Sequence, residues 1–315
     1  MNTVKTLVLS SKSDDLARAA QIWSDGGLVA FPTETVYGLG ADARNDRAVA
    51  QIYAAKGRPS FNPLIVHVPD VETARRYVDF SAEAEHLASE FWPGALTLVL
   101  PLRQDAGISP LVTAGLTTLA IRVPNGDVAQ AVLREFDGPI AAPSANPSGR
   151  VSPTSAAHVS AGLSGRIDAV IDGGQCGVGV ESTIGGCVSE PALLRLGGVP
   201  AEAIEAALGR PLTAAGEEIV APGQLASHYA PEGTMRLNVT DPQADETLLG
   251  FGPVEGAALS LSVTGDLVEA AANLFDCLHQ LNALGATKIA VSPVPDVGLG
   301  RAINDRLARA AAPRD

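Results

Sequence analysis

Lysine is nearly missing from this chain: four occur in 315 residues, Lys5, Lys12, Lys56 and Lys288. With arginine they make 22 basic groups against 35 acidic ones, a formal net charge of −13. That balance disfavours extended contact with a nucleic-acid backbone, because such affinity comes mainly from Lys and Arg displacing counterions. Cysteine is scarce too. Cys176, Cys187 and Cys277 lie far apart, with no CxxC pair and no Cys/His cluster at zinc spacing, which argues against disulfides and structural zinc. No apolar run approaches the roughly 20 residues that cross a bilayer. The first residues hold one Lys before a very short apolar stretch and then turn acidic, which fits neither a secretory signal nor an Arg-rich transit peptide. The expectation is a soluble, cytoplasmic protein. Several chemical templates are missing as well: there is no Walker or dinucleotide fingerprint, no G-x-S-x-G elbow and no H-E-x-x-H.

What is present is an ordinary globular composition, 46% hydrophobic and 18% charged, in a chain long enough for two domains. Apolar periodicity predicts a helix over 13–25 with Ser13 as N-cap, a buried strand over 28–31, and then a loop at 33–40 too irregular and glycine-rich to continue it. Helix and strand go on alternating: helix 45–55, strand 64–68, helix 81–91, strands 96–100 and 118–123, a helix from Asp127, and strands 140–142 and 169–171. A short strand pair around Ile184 and Leu194 and a helix over 200–208 close the unit. This alternation marks an α/β fold. Residues 210–234 carry no sustained period and read as a linker, one that places Gln224, His228 and Tyr229 between turn residues. Beyond it, strands at 235–239, 247–251, 258–261 and 288–291, a helix over 266–284 and a last helix from Arg301 form a smaller α/β layer. The expected domains are 1–209, a 210–234 linker or lid, and 235–315.

Hydroxyls recur at predicted strand ends: Thr33 and Thr35, Thr117 and Thr118, Ser144 and Asn146, Ser182 and Thr183. Ligands in α/β sheets collect at strand ends, so these clusters point to one polar site. Lys56-Gly57-Arg58 follows a helix, where the dipole alone favours basic residues, yet a point charge and a planar fork around a glycine also suit carboxylate or polyphosphate. Both groups are expected to be partly exposed. Arg122 and Arg195 would add two cations, and four in one pocket of an acidic protein imply an anionic ligand. His67, alone in an apolar strand, has two readings, core residue or ligand contact. The run from Asp172 to Gly179 also has two, a flexible loop or an amide nest for an anion.

The string Pro32-Thr33-Glu34-Thr35-Val36-Tyr37-Gly38-Leu39-Gly40, followed by Lys56-Gly57-Arg58-Pro59 and Asn62-Pro63-Leu64, resembles the YrdC-like threonylcarbamoyl-AMP synthase family. Pro93-Gly94-Ala95-Leu96-Thr97, Ile121-Arg122-Val123-Pro124, Ala142-Pro143-Ser144-Ala145-Asn146, Ser152-Pro153-Thr154 and Gly179-Val180-Glu181-Ser182-Thr183-Ile184 follow in the family's order. The segment 222–231 and the tail 298–306 are similar to the long, two-domain form. The resemblance implies a YrdC-like twisted mixed-sheet domain with helices, then a linker and a smaller Rossmann-like α/β domain. It also implies a reaction: L-threonine is carboxylated on its amine with bicarbonate, the carbamate attacks the α-phosphate of ATP, and pyrophosphate leaves. The product would pass to a tRNA threonylcarbamoyltransferase complex.

Matched position by position, the resemblance assigns threonine to Thr35, His67, Arg122, the backbone at Ala142, and Ser182. It assigns ATP to Lys56, Arg58, Asn62, Thr118, Ser144, Ser152, Arg195 and Tyr229, with Lys56 and Arg58 as the catalytic pair. Magnesium is expected to arrive with ATP rather than in a protein cage. Three positions depart from the family pattern: Ser227 where Arg often precedes the His-Tyr pair, Leu196 where Pro commonly follows the Arg, and Asn125-Gly126-Asp127 where a His is frequent. Two other classes compete. A double-stranded-RNA-binding module is opposed by the charge, and a hydrogenase-maturation type of carbamoyltransferase is opposed by the cysteine count.

Overall fold

A computed structural model describes residues 5–214 and 228–313. Fifteen strands are present among them: β1 (Leu7–Ser10), β2 (Val29–Phe31), β3 (Gly38–Asp42), β4 (Ile65–His67), β5 (Leu96–Pro101), β6 (Thr118–Arg122), β7 (Ile140–Ala141), β8 (Ala169–Asp172), β9 (Thr183–Gly186), β10 (Ala192–Arg195), β11 (Thr213–Ala214), β12 (Thr234–Arg236), β13 (Thr247–Gly250), β14 (Leu259–Ser260) and β15 (Lys288–Val291). The first eleven form one mixed sheet in the order β1-β8-β2-β3-β7-β4-β6-β5-β9-β10-β11. The last four form a parallel sheet, β12-β15-β13-β14. The α/β alternation read from the sequence is therefore the architecture of both halves.

Local chemistry sets the helix starts. Asn45 accepts from the N–H groups of Arg47 and Ala48, and Ser81, Ser155 and Asp266 cap the helices Ala82–Phe91, Ala156–Leu163 and Leu267–Ala283 in the same way. Ser13 does not act as a cap. It is the first residue of the helix Ser13–Ser24, and the side chain of Asp15 turns back instead to accept from Ser10. The helix Ala156–Leu163 and the edge strand β1 carry too short a pattern to show in the sequence, and neither was expected.

The 33–40 segment differs from its reading as a loop throughout, because Gly38–Asp42 pairs antiparallel with β2. Its glycines are required by packing. A Cβ on Gly40 would lie 2.8 Å from the Trp23 ring and 2.9 Å from Ile140 Cγ2, so the strand admits no side chain where those residues close over it. Trp23 is fully buried there and donates its indole N–H to Gly40 O.

The two sheets share apolar contacts. Val36, Val151 and Val180 of the first half pack with Tyr229, Leu274, Phe275 and Leu278 in a single buried cluster. At the seam the Gly-rich run has a function that neither earlier reading supplied. A Cβ on Gly179, whose φ is +75°, would fall 2.4 Å from Ala271 O and from Ala272 Cα, so glycine lets this loop touch the backbone of the helix Leu267–Ala283. Gly179→Ala should consequently lower the unfolding midpoint by an amount equivalent to about 1–3 kcal/mol or more, since neither the space nor the backbone angle suits alanine. Thermal unfolding with hydrogen exchange along 267–283 checks this, and an unchanged midpoint would show that the seam tolerates a methyl group.

Candidate active site

One narrow cleft, open to solvent, gathers the polar strand ends. Thr35, His67, Arg122, Ala142 and Ser182 line it, together with Arg58, Ser144, Arg195 and Tyr229. All five positions matched to threonine and four of the eight matched to ATP thus face one space. The sheet explains the convergence: β4 and β6 run parallel, with His67 opposite Arg122. β9 lies beyond β5, which is antiparallel to β6, and presents Ser182 just before its first residue.

Arg122 is 3% exposed and engages three neighbours. Its Nε donates to Gly94 O at 2.9 Å and its Nη1 to Thr35 Oγ1 at 2.9 Å. Its Nη2 lies 2.6 Å from Glu34 Oε1, off the N–H direction, so that contact is an ion pair without an aligned hydrogen bond. Thr35 also meets Thr33, whose hydroxyl accepts from the Thr35 and Val36 N–H groups and donates to Val36 O. That turn fixes the loop after β2.

His67 fits both of its readings. It packs edge-on against Phe31, with ring centroids 6.0 Å apart, yet lines the cleft, and its Nδ1 is buried without a partner among the described residues. Burial and then the nearby Arg122 charge push its pKa down to about 3, so the ring is neutral near pH 7 and can accept from a ligand. Ala142 has given its N–H to Ile65 O, so a ligand can use only its carbonyl. Ser182 accepts from Arg195 through both its carbonyl and its hydroxyl, and the hydroxyl also meets Thr97 at 2.7 Å.

The remaining four positions stand behind the cleft or beside it. Lys56 is not partly exposed, as its place at a helix end suggested. It is 3% exposed, and its ammonium donates to the carbonyls of Ser144 and Asn146. Burial, and then the positive charge of Arg58, push its pKa well below the usual lysine value. The reason for the misreading is topological: the last turn of the helix Asp46–Lys56 abuts the 144–146 loop instead of solvent. Arg58 is partly exposed, as expected, with its guanidinium on Asn62 O and Pro63 O and its pKa lowered to about 10 by burial. Asn62 is buried and orients Arg58 through that carbonyl. Thr118 shares a β6 face with Ala120 and Arg122 but sits at the far end of the strand. Ser152 donates to Glu181 Oε1 at 2.6 Å.

Glu181 is the functional residue that sequence reasoning passed over. Its second oxygen accepts from Arg306 Nε at 2.8 Å, and Arg306, fully buried, also donates to Leu196 O and lies over the Tyr229 ring at 5.1 Å. Burial alone would raise the Glu181 carboxyl, but Arg306, Arg195 and the Ser152 hydroxyl outweigh it and hold the pKa at about 2. At the Leu196 departure, Arg306 uses the backbone carbonyl, which a proline would also offer. His228 also lines the cleft, its pKa lowered to about 3 by burial. Gln224 and Ser227 lie outside the described residues. The three cysteines are buried and unpaired, and no group of three or more His, Cys, Asp or Glu side chains converges as a metal site among the described residues.

A family model described as "Telomere recombination", of the Sua5/YciO/YrdC group, matches residues 21–197. A second, described as "Threonylcarbamoyl-AMP synthase, C-terminal domain", matches residues 199–312. The threonylcarbamoyl-AMP synthase of Bacillus subtilis is 42% identical, over 97% of this chain and 95% of its own length. That of Pyrococcus abyssi is 40% identical, with 94% of each covered. Among solved structures, P. abyssi Sua5 complexed with L-threonine superposes with a TM-score of 0.89 at 36% identity, covering 97% of this chain and 98% of that one. Escherichia coli YciO, at 21% identity and a TM-score of 0.55 over 62% of this chain and 96% of its own, shares the fold of the first half.

The histidines give the site a pH signature. His67 and His228, and at the domain seam the stacked pair His158 and His279 with rings 3.8 Å apart, are all held below the ordinary histidine value, chiefly by burial. The unfolded chain therefore takes up these protons first. Stability should be complete above about pH 6.5 and fall as pH drops through the lowered folded values, at up to about 1.4 kcal/mol per pH unit for each proton involved. Glu181 adds to the loss in the same direction at lower pH. Urea midpoints from pH 7.5 to 4.5 should fall monotonically, and His279→Gln should make the fall shallower. A flat profile would contradict the burial of these rings.

Proposed function

The chain belongs to the threonylcarbamoyl-AMP synthase family, and from that membership we propose how its cleft does the chemistry. It is a threonylcarbamoyladenylate synthase, an enzyme of nucleotidyltransferase type that serves threonylcarbamoyladenosine biosynthesis in tRNA. The proposal concerns which groups hold which substrate. It rests on one observation: all five positions matched to an amino acid and four of those matched to a nucleotide, Arg58, Ser144, Arg195 and Tyr229, line the same cleft.

L-Threonine binds with its carboxylate on Arg122, its hydroxyl and amine among Thr35, His67, Ser182 and the Ala142 carbonyl. An arginine fork suits a carboxylate, and neutral His67 accepts a hydrogen bond without repelling the amine. The threonine amine condenses with bicarbonate with loss of water, and an oxygen of the resulting carbamate attacks the α-phosphate of ATP and displaces pyrophosphate. The triphosphate lies along Arg58, Arg195 and the Ser144 turn, so that positive charge meets the pyrophosphate as it leaves. Lys56 works one layer behind, holding the Ser144 and Asn146 carbonyls so that the turn keeps its shape. Asn62 sets the Arg58 guanidinium, Ser152 sets Glu181, and Thr118 flanks the apolar patch formed by Ile65, Val99, Ala120 and Ile184 on the same sheet face.

Tyr229 is the contribution of the segment between the domains. It is 1% exposed, packs on Phe275 with centroids 5.4 Å apart, and reaches the cleft beside Arg195. Arg306 holds Tyr229 and Glu181 from the second domain, so that domain helps to shape the nucleotide side. We read residues 210–234 as a cover that keeps water from the acyl adenylate; residues 215–227 of it lie outside the described residues.

Magnesium fits as a companion of ATP. The cleft offers hydroxyl and carbonyl oxygens, hard donors compatible with a partly hydrated ion, while Glu181 is already committed to Arg306 and Ser152. The ion would neutralise triphosphate charge. The product would pass to a tRNA threonylcarbamoyltransferase complex, without stable nucleic-acid binding by this acidic chain. No helix among the described residues is long and apolar enough to cross a membrane, and we place the enzyme in the cytoplasm.

Pyrophosphate release from ATP should require threonine and bicarbonate together, because neither alone forms the nucleophile. Serine in place of threonine should cost only a moderate factor, one methyl contact being worth on the order of 1 kcal/mol. Arg58→Ala should reduce turnover by tens to hundreds of fold, the loss of a charge-assisted contact of about 1.5–3 kcal/mol. Equal pyrophosphate release without threonine would overturn the reaction as written.

A further inference from the structure

Arg122 has no unclaimed bidentate face. Its Nε is taken by Gly94 O, and the two terminal nitrogens that remain meet Thr35 Oγ1 and Glu34 Oε1. A substrate carboxylate arriving at those two nitrogens must therefore take the place of an acceptor the protein already supplies. The Thr35 hydroxyl is neutral and keeps its Thr33 contact at 2.8 Å if it gives up Arg122. Glu34 has no such alternative at close range, and it carries the charge that an incoming carboxylate would repel.

We propose that Glu34 is a built-in competitor for the substrate-carboxylate site: it occupies the Arg122 fork while the cleft is empty and is displaced when L-threonine binds. The inference rests on the reading of Arg122 as the carboxylate anchor. Three observations carry it further. First, Glu34 is held by charge alone, since neither of its carboxylate oxygens has an aligned hydrogen bond among the described residues, although both are buried. Such a contact is readily exchanged for a better-aligned one. Second, only the side chain needs to move, because the Glu34 carbonyl accepts from Val178 N at 2.7 Å and the Thr33 turn pins the residues on either side. Third, there is room. Glu34 borders a second cavity of about 230 Å³, whose wall includes Gly126 at the start of the helix Asp127–Phe136. That helix has no side-chain cap, so its free N–H groups favour a carboxylate on that side, with Asp127 as the one other charged lining group.

The consequence is selectivity. A small carboxylate or another simple anion gains only the fork and loses the Glu34 pair, a near-even exchange. An amino acid that also reaches His67, Ser182 and the Ala142 carbonyl gains enough to drive Glu34 out. A displaceable partner also avoids leaving the Arg122 charge unpaired in the empty enzyme.

The test is threonine binding to the full chain by titration calorimetry, without ATP, on the wild type, Glu34→Ala, Glu34→Gln and the double variant Glu34→Gln/Arg122→Met. The double variant leaves no unpaired charge at the site, and thermal unfolding of each protein confirms that it is folded. Glu34→Ala should bind threonine about tenfold more tightly, with Glu34→Gln between it and the wild type. Acetate should compete measurably in Glu34→Ala and far less in the wild type. The double variant should lose threonine binding. If it does and the single variants bind threonine no more tightly than the wild type, Glu34 is not a competitor, while the Arg122 assignment stands. Weaker binding by the single variants would mean that Glu34 contacts the substrate itself, which also overturns the proposal. If the double variant still binds threonine, the carboxylate lies elsewhere and both readings fall.

Discussion

The buried pair between Glu181 and Arg306 is the contact on which the rest of the arrangement hangs. The two residues are 125 positions apart, one just ahead of β9 and the other on the final helix, Leu299–Ala311. Removing either alone would strand an uncompensated charge in the interior, which costs far more than the net worth of the pair. Because Glu181 also takes the Ser152 hydroxyl and Arg306 also takes Leu196 O and the face of Tyr229, the pair fixes one wall of the cleft. The second domain is thus part of the site's construction, beyond its apolar contacts along the seam.

The cleft gathers three arginines, Arg58, Arg122 and Arg195, in different electrostatic settings. On the assignment proposed above, Arg58 and Arg195 serve the nucleotide, and the pKa of each is lowered by burial. Toward the amino-acid side, Arg122 is already paired with Glu34, and His67 is kept neutral. On that assignment, one set of residues attracts a strong anion and the other discriminates among weak ones. An enzyme that must hold ATP and a single small amino acid together gains from that difference.

Much of this was legible in the sequence, for identifiable reasons. Apolar periodicity gave the alternating elements because buried strands such as β4 and amphipathic helices such as Leu267–Ala283 obey simple repeats. Strand-end hydroxyls gave the site because sheet topology brings strand ends together. What escaped depends on packing between distant segments. Gly40 looks like a loop residue until Trp23 and Ile140 are seen lying over the strand. Lys56 looks solvent-facing until the 144–146 loop is placed against its helix. Glu34 and Glu181 both stood inside quoted motifs, yet nothing local distinguishes a surface carboxylate from one that meets an arginine about 90 or 125 positions away. Gly179 belonged to a run read as a loop or an amide nest, and only the neighbouring helix shows why it has no side chain.

The central claim is that the second domain shapes the nucleotide side of the cleft through the Glu181–Arg306 pair and leaves the amino-acid side to the first domain. The most direct measurement compares wild type with a Glu181→Gln/Arg306→Gln double variant, in which the pair is replaced by neutral groups of similar shape, so that no buried charge is stranded. Affinities for L-threonine and for a non-hydrolysable ATP analogue are measured separately on each protein. The account predicts that the nucleotide analogue binds about tenfold more weakly, as expected when one charged contact and its ordering of Tyr229 are lost, while threonine affinity stays within about twofold. An unchanged nucleotide affinity, or an equal loss for both ligands, would contradict it.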